Sequence, residues 1–236
     1  MIKETKISLV IPVYNEAENI PLILEEITQV LSNINFLKDY EIIFIDDCST
    51  DNSKKIIENI TSLKVKKIFN KINQGQSYSL YTGISSAQND IIVTMDGDLQ
   101  NNPNDIPNML SMYLSNPSVK LLGGIRAKRK DNFIKILSSK IANNIRSFLL
   151  NDNCLDTGCA LKIFDKHIFL EFPYFNGLHR FLPALFKGFG YKTVFFTVDH
   201  RLRKHGKSNY GTFKRLLAGI RDIIKVALII KKHKRS

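Results

Sequence analysis

Cysteine is scarce in this chain, and what there is excludes two common uses. Cys48, Cys154 and Cys159 are an odd number, widely split, and none falls in a paired Cys/His spacing of the zinc type. They read as reduced core or near-site residues of a cytosolic protein. No export signal is expected either, since Met1-Ile-Lys-Glu-Thr-Lys leads straight into a strand-like run, without the charged start and apolar core of a signal peptide. The C-terminal tail lacks long apolar runs. Its longest, Val226–Ile230, falls far below the roughly 20 residues that span a bilayer. Acid is nearly absent there too. Residues 201–236 hold twelve Lys or Arg against Asp222 alone, a net +11, whereas the first 200 residues are close to neutral with 22 basic and 21 acidic groups. Such a tail suits a polyanionic surface. Aromatics are sparse in it, Tyr210 and Phe213 only, which disfavours nucleic acid, whose unpaired bases stack on aromatic side chains.

What is present describes an ordinary globular chain of 236 residues, 44% hydrophobic and 24% charged, long enough for one large domain. Ile7-Ser-Leu-Val-Ile-Pro-Val predicts a buried strand, and Ile20, Ile23, Leu24, Ile27 and Leu31 then recur at helical spacing. Glu41–Asp47 predicts a second strand, followed by a polar turn at 48–53 and a helix carrying Ile56, Ile57 and Ile60. Val65–Phe69 is a third strand, and a helix over 77–87 leads into a fourth from Ile91 to Met95. Further on, Pro103 and Pro107 fit a helix start, Leu121–Arg126 a strand, 133–150 a helix, Asp156–Phe164 a strand, 166–190 broken helix, and Thr193–Val198 a last strand. The alternation predicts an α/β fold, a mostly parallel central sheet with helices on both faces.

Ligands of such sheets bind at the carboxyl ends of the strands. Three of those ends carry Tyr14-Asn-Glu, Asp46-Asp47 and Asp96-Gly-Asp. Asp96 and Asp98, with only Gly97 between them, are hard oxygen donors that suit Mg²⁺ or Mn²⁺ carrying a diphosphate better than an all-protein cage. Asp-Gly is also a common turn dipeptide, and Glu16 equally suits the first turn of a helix, where the dipole favours an acid.

Taken in order, Ile11-Pro-Val-Tyr-Asn-Glu, Ile45-Asp-Asp-Cys-Ser-Thr-Asp, Asn73-Gln-Gly, Met95-Asp-Gly-Asp-Leu-Gln-Asn-Asn-Pro, Gly124-Ile-Arg, Asp156-Thr-Gly-Cys and Arg203-Lys-His-Gly-Lys-Ser carry a resemblance over residues 7 to about 222. The set resembles the family 2 inverting glycosyltransferases of GT-A fold, and within them the polyprenyl-phosphate sugar synthases of the dolichyl-phosphate mannosyltransferase type. The resemblance implies that Pro12, Tyr14, Glu16, Asp96 and Gly97 line a nucleotide-sugar donor, with Asp47 reaching its base or ribose. It implies a metal, Mg²⁺ or Mn²⁺, on Asp96, Asp98 and Gln100, with Asp98, Arg126 and Arg203 serving the transfer. Arg126, Arg203, Ser208 and, as a weaker match, Lys140 would hold an acceptor phosphate. Asp156, at a strand start, would only support the site, and His179 would be a contact on the acceptor side. Two departures stand out: Asn209 replaces a usual lysine after Gly-x-Ser, and Cys48 replaces a usual glycine. Tryptophan is absent, which excludes the Gln-x-x-Arg-Trp motif of processive synthases.

A phosphate monoester arrives as an anion near neutral pH and attacks without a general base, so what the resemblance implies for the protein is to hold it with Arg or Lys. The tail then acquires a use. Residues 1–211 form the expected catalytic domain, and 212–236 a basic amphipathic helix lying on an anionic membrane surface. The expectation is an enzyme on the cytoplasmic face of the membrane, attached peripherally or through a separate membrane-protein partner, with no nucleic acid partner. Its rivals are a transferase acting on a sugar hydroxyl and a non-catalytic membrane adaptor of the same fold.

Overall fold

The computed structural model describes residues 4–127, 146, 149–202 and 212–234, the side chains of 212–218 and 220 excepted. Lys140, Arg203 and Ser208 lie outside the described residues, as does most of the helix expected over 133–150.

Four strand–helix units come first: β1 (Thr5–Val13) and α1 (Asn19–Ser32), β2 (Leu37–Asp46) and α2 (Ser53–Glu58), β3 (Val65–Phe69) and α3 (Gln76–Ser86), β4 (Ile91–Thr94) and α4 (Ile106–Leu114). They are followed by β5 (Val119–Arg126), β6 (Lys162–Asp165), α5 (Lys166–Glu171), α6 (Leu182–Gly188), β7 (Lys192–Val198) and α7 (Thr212–His233). The strands form one sheet in the order β3-β2-β1-β4-β6-β5-β7. β1 lies parallel to β2 and β4, β2 to β3, and β5 to β7. Only β6 runs the other way, antiparallel to both of its neighbours. The sheet is therefore mostly parallel, as the alternation predicted.

Successive side chains of a strand point to opposite faces, and here both faces are covered. Ile7, Leu9, Ile11 and Val13 join Ile20, Ile23 and Ile27 of α1 and Met109 and Leu110 of α4 in one apolar cluster. Val10, Ile43, Ile45 and Ile92 meet Ile84 of α3, Phe169 of α5, Leu185 and Phe186 of α6 and Val226 of α7 in the other. Two covered faces are why these strands read as unbroken apolar runs.

One expected strand is corrected. The strand read over Asp156–Phe164 begins only at Lys162, because Asp156 and its neighbours form a turn instead. The Asp156 carboxylate accepts a hydrogen bond from the backbone N–H of Gly158, a local bond that competes with a sheet ladder. The C-terminal helix α7 leans on the body. Val226 and Ile230 are buried, and α6 makes room for them at Gly188, where a Cβ would lie 2.5 Å from Ile230. Ile224 and Leu228 remain 56% and 62% exposed.

Candidate functional site

A cleft of about 920 Å³ opens where β1, β2, β4 and β5 end. β4 stops at Thr94, and the chain turns through Asp96, Gly97 and Asp98. A Cβ on Gly97 would stand 2.7 Å from Val13 Cγ1, so the absence of a side chain lets the acidic turn settle on the end of β1. Within the turn, Asp98 Oδ1 accepts from Gln100 N at 3.1 Å, and the Asn101 side chain accepts from Asp96 N at 3.1 Å. Gln100 lines the cleft, and its carbonyl takes Arg201 N at 2.9 Å. Gln76, the first residue of α3, donates to Asp96 Oδ1 at 2.6 Å.

This donor set fits a divalent cation in a particular way. Asp96 and Asp98 supply carboxylate oxygens on one wall of the cleft, and no group of three or more His, Cys, Asp or Glu gathers to hold a metal among the described residues. Mg²⁺ and Mn²⁺ are commonly held by one or two carboxylates together with substrate phosphates and water. The two acids match that arrangement and would not make a cage by themselves.

The wall at the end of β1 is built by interlacing two loops. Asn15, in the left-handed region at φ 56, accepts from Thr50 N, while Ser49 and Ser53 accept from Asn15 N and Glu16 N. Pro12, Tyr14 and Glu16 face the cleft from this lacing, and Glu16 Oε2 takes the Asn19 amide at 2.5 Å. Cys48, the residue in the usual glycine position, takes φ 61, the conformation a glycine would have made easy. Asp47 is buried and its carboxylate accepts from Gln74 N at 3.0 Å, Gly75 N at 2.7 Å and the Asn70 amide at 2.7 Å. These bonds shape the 73–76 loop and so set where Gln76 meets Asp96.

Arg126, the last residue of β5, lines the cleft as well, and its side chain is committed to a partner. Its Nε and Nη2 grip the two oxygens of Asp156 at 2.6 and 2.7 Å, and its backbone N–H donates to the same carboxylate. Asp156 is thus the clamp of Arg126 rather than a residue at a strand start. Lys162 is buried nearby and donates to the carbonyl of Cys159. Burial pushes the thiol of Cys159 up to about 11 and that of Cys154 upward as well, so both stay protonated near neutral pH.

The turn Leu178–Arg180 closes the cleft on the remaining side. Ser77 Oγ lies 2.6 Å from His179 Nδ1 and accepts from Gly177 N at 2.8 Å, and Arg180 Nη2 donates to Asp222 Oδ2 of α7 at 2.8 Å. Sequence reasoning missed Gln76 and Lys162, and met Arg180 only as the second residue of the pair His179-Arg180, of which His179 alone was kept. Gln76 falls next to a quoted turn motif, and Arg180 next to the His179 that was singled out, but nothing in the order of residues brings either to the acids.

Residues 8–174 match the family described as Glycosyl transferase family 2. Among known proteins, the chain is 32% identical over 215 residues to an undecaprenyl-phosphate 4-deoxy-4-formamido-L-arabinose transferase from Proteus mirabilis, covering 90% of this chain and 65% of that protein. It is 32% identical over 237 residues to a dodecaprenyl-phosphate galacturonate synthase from Rhizobium johnstonii, covering 98% of this chain and 69% of that one. A transferase of the first kind from Aeromonas hydrophila is matched over 63% of its length, so the chain spans about two thirds of these relatives. Among solved structures it resembles glucosyl-3-phosphoglycerate synthase from Mycobacterium tuberculosis in complex with Mn²⁺, uridine-diphosphate-glucose and phosphoglyceric acid. The TM-score is 0.70 at 15% identity, covering 96% of this chain and 79% of that one. At that identity the likeness concerns the fold, which is GT-A-like.

Proposed function

The chain belongs to glycosyl transferase family 2, and from that premise we propose that it moves a sugar from a nucleotide-sugar to a polyprenyl phosphate at the cytoplasmic face of a membrane, with inversion and with Mg²⁺ or Mn²⁺. Transfer by inversion is one displacement: an acceptor phosphate oxygen bonds to the anomeric carbon as the bond from that carbon to the diphosphate breaks and the nucleoside diphosphate leaves. Asp96 and Asp98 would hold the divalent ion, which would supply electrostatic stabilisation of the departing diphosphate. Around it, Gln76 holds Asp96 in orientation, and Pro12, Tyr14 and Glu16 offer a wall for the nucleotide. Arg126, fixed by Asp156, presents a preoriented positive edge that costs no reorganisation as charge develops.

The observation that carries the phosphate acceptor is the Arg126–Asp156 pair. A hydroxyl acceptor needs a general base to take its proton, and both oxygens of Asp156, the carboxylate beside Arg126, are occupied by a guanidinium. A phosphate acceptor needs no base. The names of the 32%-identical relatives, a transferase to undecaprenyl phosphate and a dodecaprenyl-phosphate synthase, support the same acceptor class.

The test is an assay of the full chain with a panel of nucleotide sugars and short isoprenyl phosphates beside the matching alcohols. Transfer only to phosphates, giving a sugar–phosphate–lipid labile to mild acid, is the expected outcome. Chelator should abolish it, Mg²⁺ or Mn²⁺ restore it, and Asp98→Ala lower turnover by roughly 10²–10³ with the fold intact. Alcohols glycosylated as fast as phosphates would put the hydroxyl-acceptor reading in its place, and full activity of Asp98→Ala in metal-free buffer would remove the metal.

A further inference from the structure

Three Lys or Arg side chains line the cleft among the described residues, and they are committed to different degrees. Arg126 is held at two points by Asp156 and is largely buried. Lys162 is 4% exposed and bonded to a backbone carbonyl. Arg180 differs from both. Its side chain is 34% exposed, and a single nitrogen, Nη2, is bonded to Asp222. Among the described residues its Nε–H is buried and meets no acceptor. A buried donor without a partner is costly, and the cost disappears when an acceptor reaches the group or the group swings to meet one. A guanidinium can engage a carboxylate at one edge and a phosphate at another, because its five donors form a planar fork.

The placement of Arg180 is built from both sides. Toward the acids, its turn is pinned to α3 by the Gly177 N–H and His179 ring on Ser77, and Ser77 follows Gln76, the residue that holds Asp96. Toward the tail, Asp222 of α7 takes its Nη2, and Lys225 one turn on lies over the Phe175 ring at 5.1 Å. Gly177 lies under the pair at φ 104, where a Cβ would stand 2.8 Å from Arg180 Nη2 and 3.0 Å from Asp222 Oδ2. A side chain at that position would displace the ion pair.

We propose that Arg180 is a ligand of the acceptor phosphate and that Asp222 is the positioning residue that presents it, so that α7 forms part of the acceptor site as well as lying beside the body. This rests on the phosphate-acceptor reading above. The acceptor's charged head would enter between the Arg126 wall and the Leu178–Arg180 turn, and its lipid would leave the cleft on the side where α7 runs. The single acid of the basic tail then has a defined role, holding Arg180, the most exposed of the described cleft's three cations, in place from the helix.

The experiment measures KM for donor and acceptor separately, using a short isoprenyl phosphate in detergent so that vesicle binding plays no part. Wild-type failure with every lipid phosphate would overturn the phosphate-acceptor reading itself. With the wild type active, Arg180→Ala should raise the acceptor KM about ten- to a hundredfold, as expected for a lost hydrogen-bonded charge, while the donor KM stays within about twofold. Arg180→Lys should recover part of the loss. Asp222→Asn should raise the acceptor KM in the same sense, and the double variant Arg180→Ala/Asp222→Asn should be no worse than Arg180→Ala, since the two act through one contact. If the pair only fastens the helix, the variants lower the thermal midpoint and leave the acceptor KM unchanged, and the proposal fails. It fails equally if the effect is confined to vesicle-borne acceptors. Should Arg180→Ala not fold, Arg180→Lys and Asp222→Asn decide by the same split.

Discussion

Cys159 shows how far a single side chain in this cleft is governed by what packs on it. It sits against Gly124 of β5, where a Cβ would come within 2.7 Å of its sulfur, and burial pushes the thiol up to about 11 from an ordinary 9. Between those values the folded chain keeps a proton that the unfolded chain gives up. The stabilisation is therefore complete below pH 9 and is lost as pH rises through 11, at about 1.4 kcal/mol per pH unit inside the window. Cys159→Ala should show a shallower alkaline loss of stability than wild type in denaturant titrations at pH 8 to 10.5, and equal slopes would contradict the assignment. At this scale the sequence told identities better than relations. Asp96, Asp98, Tyr14 and Glu16 announce themselves because each follows a strand end. The grip of Asp156 on Arg126 joins residues 30 positions apart and has no local signal. Asp47 lines the cleft and also shapes a loop, a second task without a local signal, since a carboxylate that N–H donors engage reads the same in sequence as one that points only at a substrate.

At the scale of elements, the apolar pattern carried most of the weight. β1 to β4 and their helices were legible because strands covered on both faces are continuous in Ile, Val and Leu, and α1 shows its period in Ile20, Ile23 and Ile27. β6 was misplaced because four residues, Lys162–Asp165, carry neither a period nor an orientation. In α7 the apolar residues are too many for one face, and the structure divides them: Val226 and Ile230 go to the core, Ile224 and Leu228 to the surface. The two sets should separate in experiment. Ile230→Ala should cost about 2–4 kcal/mol of stability in denaturant titration, as for other buried aliphatic truncations. Leu228→Ser should cost less than about 0.5 kcal/mol yet weaken binding to anionic vesicles. Equal loss of stability from both would mean that α7 has no outward apolar face. The same division rules out simple truncation as a probe of the tail, because removing α7 would bare the cluster around Phe186.

For the molecule as a whole, charge is the organising feature: +11 of the net +12 lies in residues 201–236, and no helix among the described residues is long and apolar enough to cross a membrane. If that end meets anionic lipid, Lys231→Gln/Lys232→Gln/Lys234→Gln should weaken binding to vesicles containing acidic phospholipid while leaving unfolding unchanged, at about 1 kcal/mol for each charge near the surface. Raising salt should have a like effect on the wild type, because the screening length is about 8 Å near physiological ionic strength and shortens further. Binding to neutral vesicles as tight as to acidic ones would exclude this reading.

The lone reversed strand also fixes an order of events while the chain is being made. β3, β2, β1 and β4 come from residues 5–94 and can pair as soon as they leave the ribosome, but β4 has its second neighbour only when residues 162–165 arrive. Until then the Ile91–Thr94 edge offers unpaired amides and carbonyls to any strand nearby. Non-local pairing of this kind is slow and prone to aggregation. Nascent chains stalled before residue 165 should therefore be the species that chaperones engage, and the antiparallel insertion that completes the sheet is also the step at which biogenesis is most exposed to failure.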